Sequence, residues 1–244
     1  MPFQYLRTFT ARERTEAANL RLGRVLTFVA GAVNAGGFLA VGQYTSHMTG
    51  ILSSINDSLV TGHVALAAAA LGSVLLFLLG AATSAICIHW GRRRHAHSEY
   101  ATPLMLEALL LLAFGLLGAR LEQERLLLLP ATVGLLCYVM GLQNAMITKV
   151  SRAEIRTTHV TGIVTDIGIE LGKLLYWNSA VQADRGRLWV LASLLAMFLL
   201  GGAAGAVGFQ QLGFLATVPL AGLLLMLAGV PVLDDLLKRQ HAER

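Results

Sequence analysis

Two short polar segments share one pattern that combines a histidine, hydroxyl side chains and a glycine. Residues 46–51 read Ser-His-Met-Thr-Gly-Ile, and residues 158–163 read Thr-His-Val-Thr-Gly-Ile. Histidine can donate a hydrogen bond or carry a proton near neutral pH, and glycine lets the backbone turn or approach a ligand closely. A hydroxyl residue ahead of an apolar run is a natural helix N-cap. The free N–H groups at the start of a helix attract anions.

The two segments predict one polar site if both begin short helices that face each other. The residues that would form this site are His47, Thr49, Gly50, His159, Thr161 and Gly162. The expected ligand is a small polar or anionic solute or an ion, because polar residues inside apolar spans are costly and mark functional sites. The alternative is structural: each segment caps a helix at a close crossing, and a neighbouring carbonyl group satisfies the histidine.

Four further polar residues are candidates for the same site. Asn34 and Asn144 lie within apolar runs, where an amide either joins two helices or lines a pathway. Glu107 lies just inside an apolar run; within hydrocarbon it must be protonated, paired or in a wet cavity, whereas at the interface it would titrate normally. Asp166 follows His159 by seven residues, which places both on one helical face and makes Asp166 a candidate for a proton or ion role.

Motifs for catalysis, metal binding and nucleotide binding are missing from the sequence. It has no Walker loop, no Gly-x-Ser-x-Gly elbow, no His-Glu-x-x-His and no close His pair within an apolar run. The sequence therefore predicts no catalytic residues, no metal site and no cofactor, and it disfavours an enzyme. Although the formal net charge is +5, the positions of the basic residues argue against a nucleic-acid partner, as described below.

The composition is that of a helical membrane protein. Hydrophobic residues make up 55% of the chain and charged residues 14%, against about 25% charged residues in an average soluble domain. So few charges cannot cover a surface that faces water, and the apolar residues fall in long runs, as in membrane-spanning helices. The lipid bilayer is therefore the first expected partner.

The apolar runs predict an all-α polytopic membrane protein with six transmembrane helices and two shorter helices. The short apolar runs after the two histidine segments, 51–60 and 163–175, are too short to cross a bilayer and predict interrupted or re-entrant helices. A basic arm, 1–24, precedes the first span, and a charged tail, 234–244, follows the last. The six predicted spans are 25–41, 63–89, 103–119, 126–148, 188–209 and 214–233.

Several segments recur in the same order and indicate two copies of one structural unit, residues 25–119 and 126–233. A Gly-x-x-Asn-Ala element precedes each histidine segment, at 31–35 and 141–145. The remaining matches pair 77–86 with 198–207, and the Pro-Leu dipeptide 103–104 with 219–220. Each unit has three predicted crossings, so the second unit must be inverted relative to the first.

The distribution of charge predicts the orientation in the membrane. If the N-terminus is cytoplasmic and the chain crosses six times, 17 of the 19 Lys and Arg residues lie on the cytoplasmic side, and only Arg120 and Arg125 lie outside. Such a bias is the positive-inside pattern of inner-membrane proteins. Both termini are therefore expected in the cytoplasm.

The same motifs resemble the YoaK family of bacterial membrane proteins, domain of unknown function 1275. The resemblance rests on Gly31-x-x-Asn34-Ala followed by Met-Thr-Gly, and on the later Gly-x-Gln-Asn144-Ala with Thr-x-x-Thr-Gly. It covers about residues 24–233. The family usually has Asp in place of Asn34 and Asn in place of Ile51. The resemblance implies a multi-pass protein of the bacterial inner membrane and supplies no substrate.

Three functions are compatible with this sequence. Inverted units and paired polar breaks favour a transporter or channel for a small solute or ion, with its site at the interface of the two units. A membrane interaction or scaffold protein would instead form a homodimer through the Gly/Ala-rich faces of spans two and five. An intramembrane enzyme that modifies lipids would need a lateral opening beside a histidine and Glu107.

Overall fold

A computed structural model describes residues 15–93, 99–123, 125–151, 155, 157–176 and 182–242. The basic arm before residue 15 and the last two residues of the charged tail lie outside this part. Within it the chain forms α-helices and one short 3-10 helix, Gly213–Ala216, with no strand. The α-helices are α1 Glu16–Val41, α2 Met48–Val60, α3 Val64–Arg93, α4 Ala101–Gln123, α5 Arg125–Val150, α6 Val160–Leu175, α7 Arg185–Leu212 and α8 Thr217–Ala242.

Long apolar helices dominate the described chain. Four stretches are long and apolar enough to cross a membrane: Glu16–Leu39, Val64–Arg93, Pro130–Val150 and Arg185–Gly229, the last of which contains α7 and the start of α8. The apolar part of α4, Ala101–Leu116, is shorter. The prediction of an all-helical protein with the apolar helices of a membrane protein is therefore confirmed for the described residues.

Helices α1 and α7 pack in parallel with their backbones in contact. A Cβ atom at Gly31 would overlap the carbonyl oxygen of Phe198, and one at Gly201 would overlap the carbonyl oxygen of Phe28. Contacts advance along both helices together, since Arg24 Nε donates to Ser193 Oγ at 2.9 Å near the start of each. Small residues at such a crossing allow the dense packing on which helix association in lipid depends.

Helices α3 and α5 repeat this arrangement. A Cβ atom at Gly141 would overlap the carbonyl oxygen of Phe77, and one at Gly80 would overlap the carbonyl oxygen of Tyr138. At both crossings each of the two glycines meets the carbonyl oxygen of the residue three positions before its partner glycine. The contacts of the two matched segments thus occur in corresponding pairs.

The two helix pairs are joined through α1 and α5, which run in opposite directions. Gln143 of α5 donates to the carbonyl oxygen of Leu26 at 3.3 Å. Further along α1, a Cβ atom at Gly37 would lie 3.3 Å from Leu136, which precedes Gln143 on α5. Helices α4 and α8 complete the bundle, with the Thr217 hydroxyl donating to the Leu111 carbonyl oxygen at 2.9 Å.

Some helix bounds differ from those that the apolar runs predict. Helix α1 begins at Glu16 and not near residue 25, because the Thr15 hydroxyl accepts a hydrogen bond from the Ala18 N–H at 3.2 Å and caps an earlier turn. Part of the predicted N-terminal arm is thus helical. Helix α7 continues to Leu212, beyond the predicted end of its span at residue 209, and the 3-10 helix then joins it to α8.

We expect the close crossings to tolerate no added methyl group. Gly80→Ala should lower the free energy of unfolding by about 1–3 kcal/mol, because the new Cβ atom meets backbone that cannot move aside. Gly72→Ala is the matched control in the same helix, since a Cβ atom there would meet nothing within 4 Å. Thermal unfolding in detergent can be followed through the reaction of a maleimide dye with the buried thiol of Cys137. Equal unfolding temperatures for the two variants would contradict this packing.

Candidate functional site

The first histidine segment folds back against the helix that precedes it. The Ser46 hydroxyl donates to the Asn34 side-chain oxygen at 2.7 Å. Asn34 lies seven residues, or about 10 Å, before the end of α1 at Val41. The chain therefore leaves α1 and returns along its side before α2 begins.

Helix α2 starts against the bundle, with one buried residue in its first turn, and ends at an exposed connection. Near its start, Ile51 is buried with Ala70, Val133 and Cys137 in a small apolar cluster. At its other end Val60 and the connection to α3 are exposed. With 13 residues, α2 is about 20 Å long, shorter than the roughly 30 Å hydrocarbon core of a bilayer.

The second histidine segment has the same construction. The Thr158 hydroxyl donates to the Asn144 side-chain oxygen at 2.9 Å, as Ser46 does to Asn34. Thr157, immediately before it, is fully buried with its hydroxyl 3.4 Å from the same oxygen. Helix α6 then starts beside α5 and packs against α7. The asparagines thus act at least as clamps between a long helix and the segment that follows it.

Both histidines occupy the N-cap position of a short helix, where a hydroxyl residue was predicted. His47 precedes α2, His159 precedes α6, and neither makes a side-chain capping hydrogen bond. Each imidazole instead lies over the glycine three residues later, so a Cβ atom at Gly50 or Gly162 would overlap the ring. Glycine is therefore required at both positions, because any side chain would displace the histidine ring. We call this contact the histidine seat.

This geometry leaves polar groups for a ligand at the start of each short helix. The first N–H groups of a helix have no partner within it, and neither N-cap side chain satisfies them. Thr49 and Thr161 stand in these first turns and are exposed. Backbone N–H groups, a hydroxyl and an imidazole together suit an anion or a small polar solute.

A cavity of about 540 Å³ lies beside the first segment. Its polar wall includes His47, Ser54, Ser58 and Ser73, and its other walls are largely apolar. Pro130 and Val133 at the start of α5 also line it. A cavity of this size and character is suited to a small molecule.

The structure does not bring the predicted site residues into one site. Because α1 and α5 run in opposite directions, the segment after α1 and the segment after α5 lie toward opposite ends of the bundle. His47, Thr49, Gly50 and Asn34 form one cluster, and the matching residues of the second unit form another. We call these the first and second clusters, the second comprising Asn144, Thr157, Thr158, His159, Thr161 and Gly162.

Glu107 lies in the interior of the bundle, apart from the short helices. It is fully buried on α4, and the side-chain amide of Gln143 donates to its Oε1 at 2.9 Å. Its Oε2 has no hydrogen-bond partner among the described residues. Glu107 therefore belongs to a separate polar centre, which contacts the second cluster only through Gln143.

Asp166 is held in an ion pair and not beside His159. Its carboxylate accepts from Arg187 at 2.9 Å, with both side chains partly exposed. One turn later Glu170 pairs with Lys173 at 2.8 Å and accepts from the Asp184 N–H at 2.9 Å. These contacts tie the end of α6 to the start of α7. No group of three or more metal-ligating side chains occurs among the described residues.

Four residues of these centres were absent from the predicted site: Ser46, Gln143, Thr157 and Thr158. Thr158 holds the second segment on Asn144. Gln143 and Thr157 are buried and join the second cluster to Glu107, and Ser46 holds the first segment on Asn34. An amide inside an apolar run gives a signal for Gln143 in the sequence. The contact with Thr157 has no local signal, because the two residues are 14 positions apart.

Residues 22–230 match the family described as Protein of unknown function (DUF1275). The match covers most of the chain. The chain belongs to this family. This confirms the resemblance found in the two signatures around Asn34 and Asn144. No curated protein and no solved structure matches the chain. A DUF1275 protein brings no assigned substrate with it, so function has to be inferred from the clusters themselves.

We expect the asparagine clamp to keep the second segment folded against α5. Asn144→Leu leaves the hydroxyl of Thr158 without its acceptor, which should cost about 1–3 kcal/mol. Amide hydrogen exchange at Ile163, whose N–H donates to the His159 carbonyl oxygen, should then be faster than in the wild type. Asn56→Leu, at an exposed position of α2, is the control and should leave this exchange unchanged. Amide exchange that is the same in Asn144→Leu and the wild type would show that the hydrogen bond between Thr158 and Asn144 does not stabilise the start of α6.

Proposed function

We propose that this DUF1275 protein is a transporter or channel for a small polar or anionic solute or an ion, in the bacterial inner membrane. The observation that carries the proposal is the pair of short helices, each beginning beside a partly buried asparagine of a long helix, with an exposed histidine at an uncapped N-terminus. Interrupted helices whose N-termini point at anionic groups are a recurring way to bind solutes in secondary transporters.

The proposal includes six crossings arranged as two inverted units, with both termini in the cytoplasm. The opposite directions of the matched helices α1 and α5, and the corresponding contacts at the glycine crossings, support the inversion. The positive-inside distribution of Lys and Arg supports the orientation. Helices α2 and α6 would then enter from opposite faces of the membrane.

The orientation predicts which connections react from outside the cell. His63, between α2 and α3, and Gln182, before α7, are both exposed. In a chain whose native cysteines are replaced, a membrane-impermeant maleimide should label His63→Cys in intact cells. It should label Gln182→Cys only after the membrane is opened. Labelling of both positions from the same side would exclude the inverted arrangement.

The rival functions have less support from the contacts. A scaffold that dimerises through the glycines of spans two and five needs those glycines free, yet Gly80 and Gly201 are occupied by contacts within the chain. A lipid-modifying enzyme needs a carboxyl group at an opening beside a histidine, yet Glu107 is fully buried. The cavity beside His47 favours a solute.

We expect transport to depend on both histidines. Purified protein in liposomes can be tested by light scattering after osmotic jumps with urea, glycerol and the potassium salts of chloride, formate and phosphate, with valinomycin for the salts. Where the wild type accelerates swelling with one solute, His47→Ala combined with His159→Ala should lower that rate at least about tenfold, the effect of losing one charge-assisted hydrogen bond.

His63→Ala is the matched control, because the His63 side chain is exposed and is hydrogen-bonded to the nearby Thr61 hydroxyl. It should leave the flux unchanged. Gly50→Ala, which displaces the ring of His47 without removing it, should lower the flux as the histidine variants do. A double histidine variant that retains the full flux would refute the assignment of the two clusters.

A further inference from the structure

Glu107 is a buried carboxyl group whose surroundings do not provide for a charge. It is fully buried on α4, and a neutral amide, that of Gln143, is its hydrogen-bond donor. Its Oε2 has no partner among the described residues. A buried carboxylate without a cation is costly, whereas the protonated acid is tolerated.

The charged groups on the helices around Glu107 are engaged elsewhere. On α1, Arg24 donates to Ser193. Arg92, at the end of α3, pairs with Glu99 at 2.9 Å, just before α4. Lys149, near the end of α5, is exposed. No ion pair to Glu107 is present among the described residues.

A chain of hydrogen bonds joins Glu107 to the second cluster. The amide of Gln143 donates to Glu107 at 2.9 Å, and its side-chain oxygen lies 3.4 Å from the hydroxyl of Thr157. That hydroxyl lies 3.4 Å from the side-chain oxygen of Asn144 as well, which also holds Thr158. A hydroxyl has one proton, so Thr157 can donate to Gln143 or to Asn144 but not to both.

The first unit lacks this chain. By the register of the repeats, Val33 stands where Gln143 does, and Leu223 stands where Glu107 does. Both are packed in the apolar core. Thr45, which corresponds to Thr157, is fully buried with no partner for its hydroxyl among the described residues. Apolar residues can thus stand at these positions, so packing alone does not require a carboxyl and an amide there.

We propose that Glu107 is a proton-binding site that controls the second cluster through Gln143 and Thr157. The inference rests on the proposed transport function and names the proton as its coupling ion. The proton comes from water on one side of the membrane and returns to water on the other, while the carboxyl alternates between acid and carboxylate. The difference between the two units then means that the second cluster responds to protons and the first cluster does not.

Ionisation of Glu107 changes the hydrogen bonds in a defined direction. A carboxylate accepts stronger hydrogen bonds than a neutral acid, so it draws the Gln143 amide away from Leu26 and from Thr157. The Thr157 hydroxyl then donates to Asn144, which already holds Thr158. The start of α6, with His159 as its N-cap, is rearranged in consequence.

The experiment is a pH titration of the histidine ring nitrogens by NMR in detergent micelles, with nitrogen-labelled histidine in the full chain. His47→Gln and His159→Gln assign the two signals. In the wild type, His159 should show its own titration and a second inflection from Glu107. The second inflection should be lost in Glu107→Gln, which keeps the size and hydrogen bonding of the side chain, and in Thr157→Val.

His47 supplies the internal control, and Thr45→Val supplies the matched variant. Neither Glu107→Gln nor Thr45→Val should alter the His47 curve, and Thr45→Val should leave the second inflection of His159 in place. If Glu107→Gln does not fold, Thr157→Val carries the test alone. A His159 curve that is the same in the wild type, Glu107→Gln and Thr157→Val would overturn the proposal.

Flux separates this inference from the proposed function. If the wild type moves one of the tested solutes and a proton gradient accelerates it, Glu107→Gln should abolish the acceleration. A flux that does not change with the proton gradient would overturn the proton-binding site at Glu107 and leave the proposed transport function intact. A second inflection at His159 in a protein that moves no solute would support the proton site and count against transport.

Discussion

Backbone contact between helices at glycines is the constraint on which the rest of the architecture depends. In lipid, helices gain little from the hydrophobic effect on association, so dense packing of small residues has to hold them together. Gly31 and Gly201 join α1 to α7, and Gly80 and Gly141 join α3 to α5. Helices α2 and α6 take no part in these crossings and pack along one side of a long helix. The candidate solute-binding groups thus lie on α2 and α6, the two short helices that these crossings do not hold.

Much of the fold could be predicted from the sequence, because apolar runs and glycine spacing are local signals. The short helices α2 and α6 followed from run length alone. The apolar run places the start of the first span at residue 25, whereas the helix capped at Thr15 extends through arginines that an apolar run excludes. The clamps were missed as well: Ser46 and Thr158 bond to asparagines more than ten positions away, so the histidines and not the hydroxyl residues became the N-caps.

The expectation of one shared site shows where sequence symmetry misleads. Two copies of a motif suggest that both copies meet, but duplication with inversion sends the ends of corresponding helices in opposite directions. Asn34 and Asn144 each lie only a few residues beyond the central glycines, Gly31 and Gly141, so both clusters start near the middle of the bundle and face away from each other. The interior between them is filled by apolar packing and by Gln143 with Glu107. The described residues thus form two separate polar clusters with a closed centre between them.

Divergence between the units is more informative about function than their similarity. The clamps, the histidine seats and the glycine crossings occur twice, and a structural duplication would preserve all of them whatever the protein does. The carboxyl of Glu107 and the amide of Gln143 occur once. Thr45 lacks the partner that Gln143 gives to Thr157, and its hydroxyl remains buried without one. A polar network that the twin unit replaces with valine and leucine is not needed to build the bundle. Burial of these polar groups destabilises the fold. The proposed control of the second cluster would explain why they are nevertheless there.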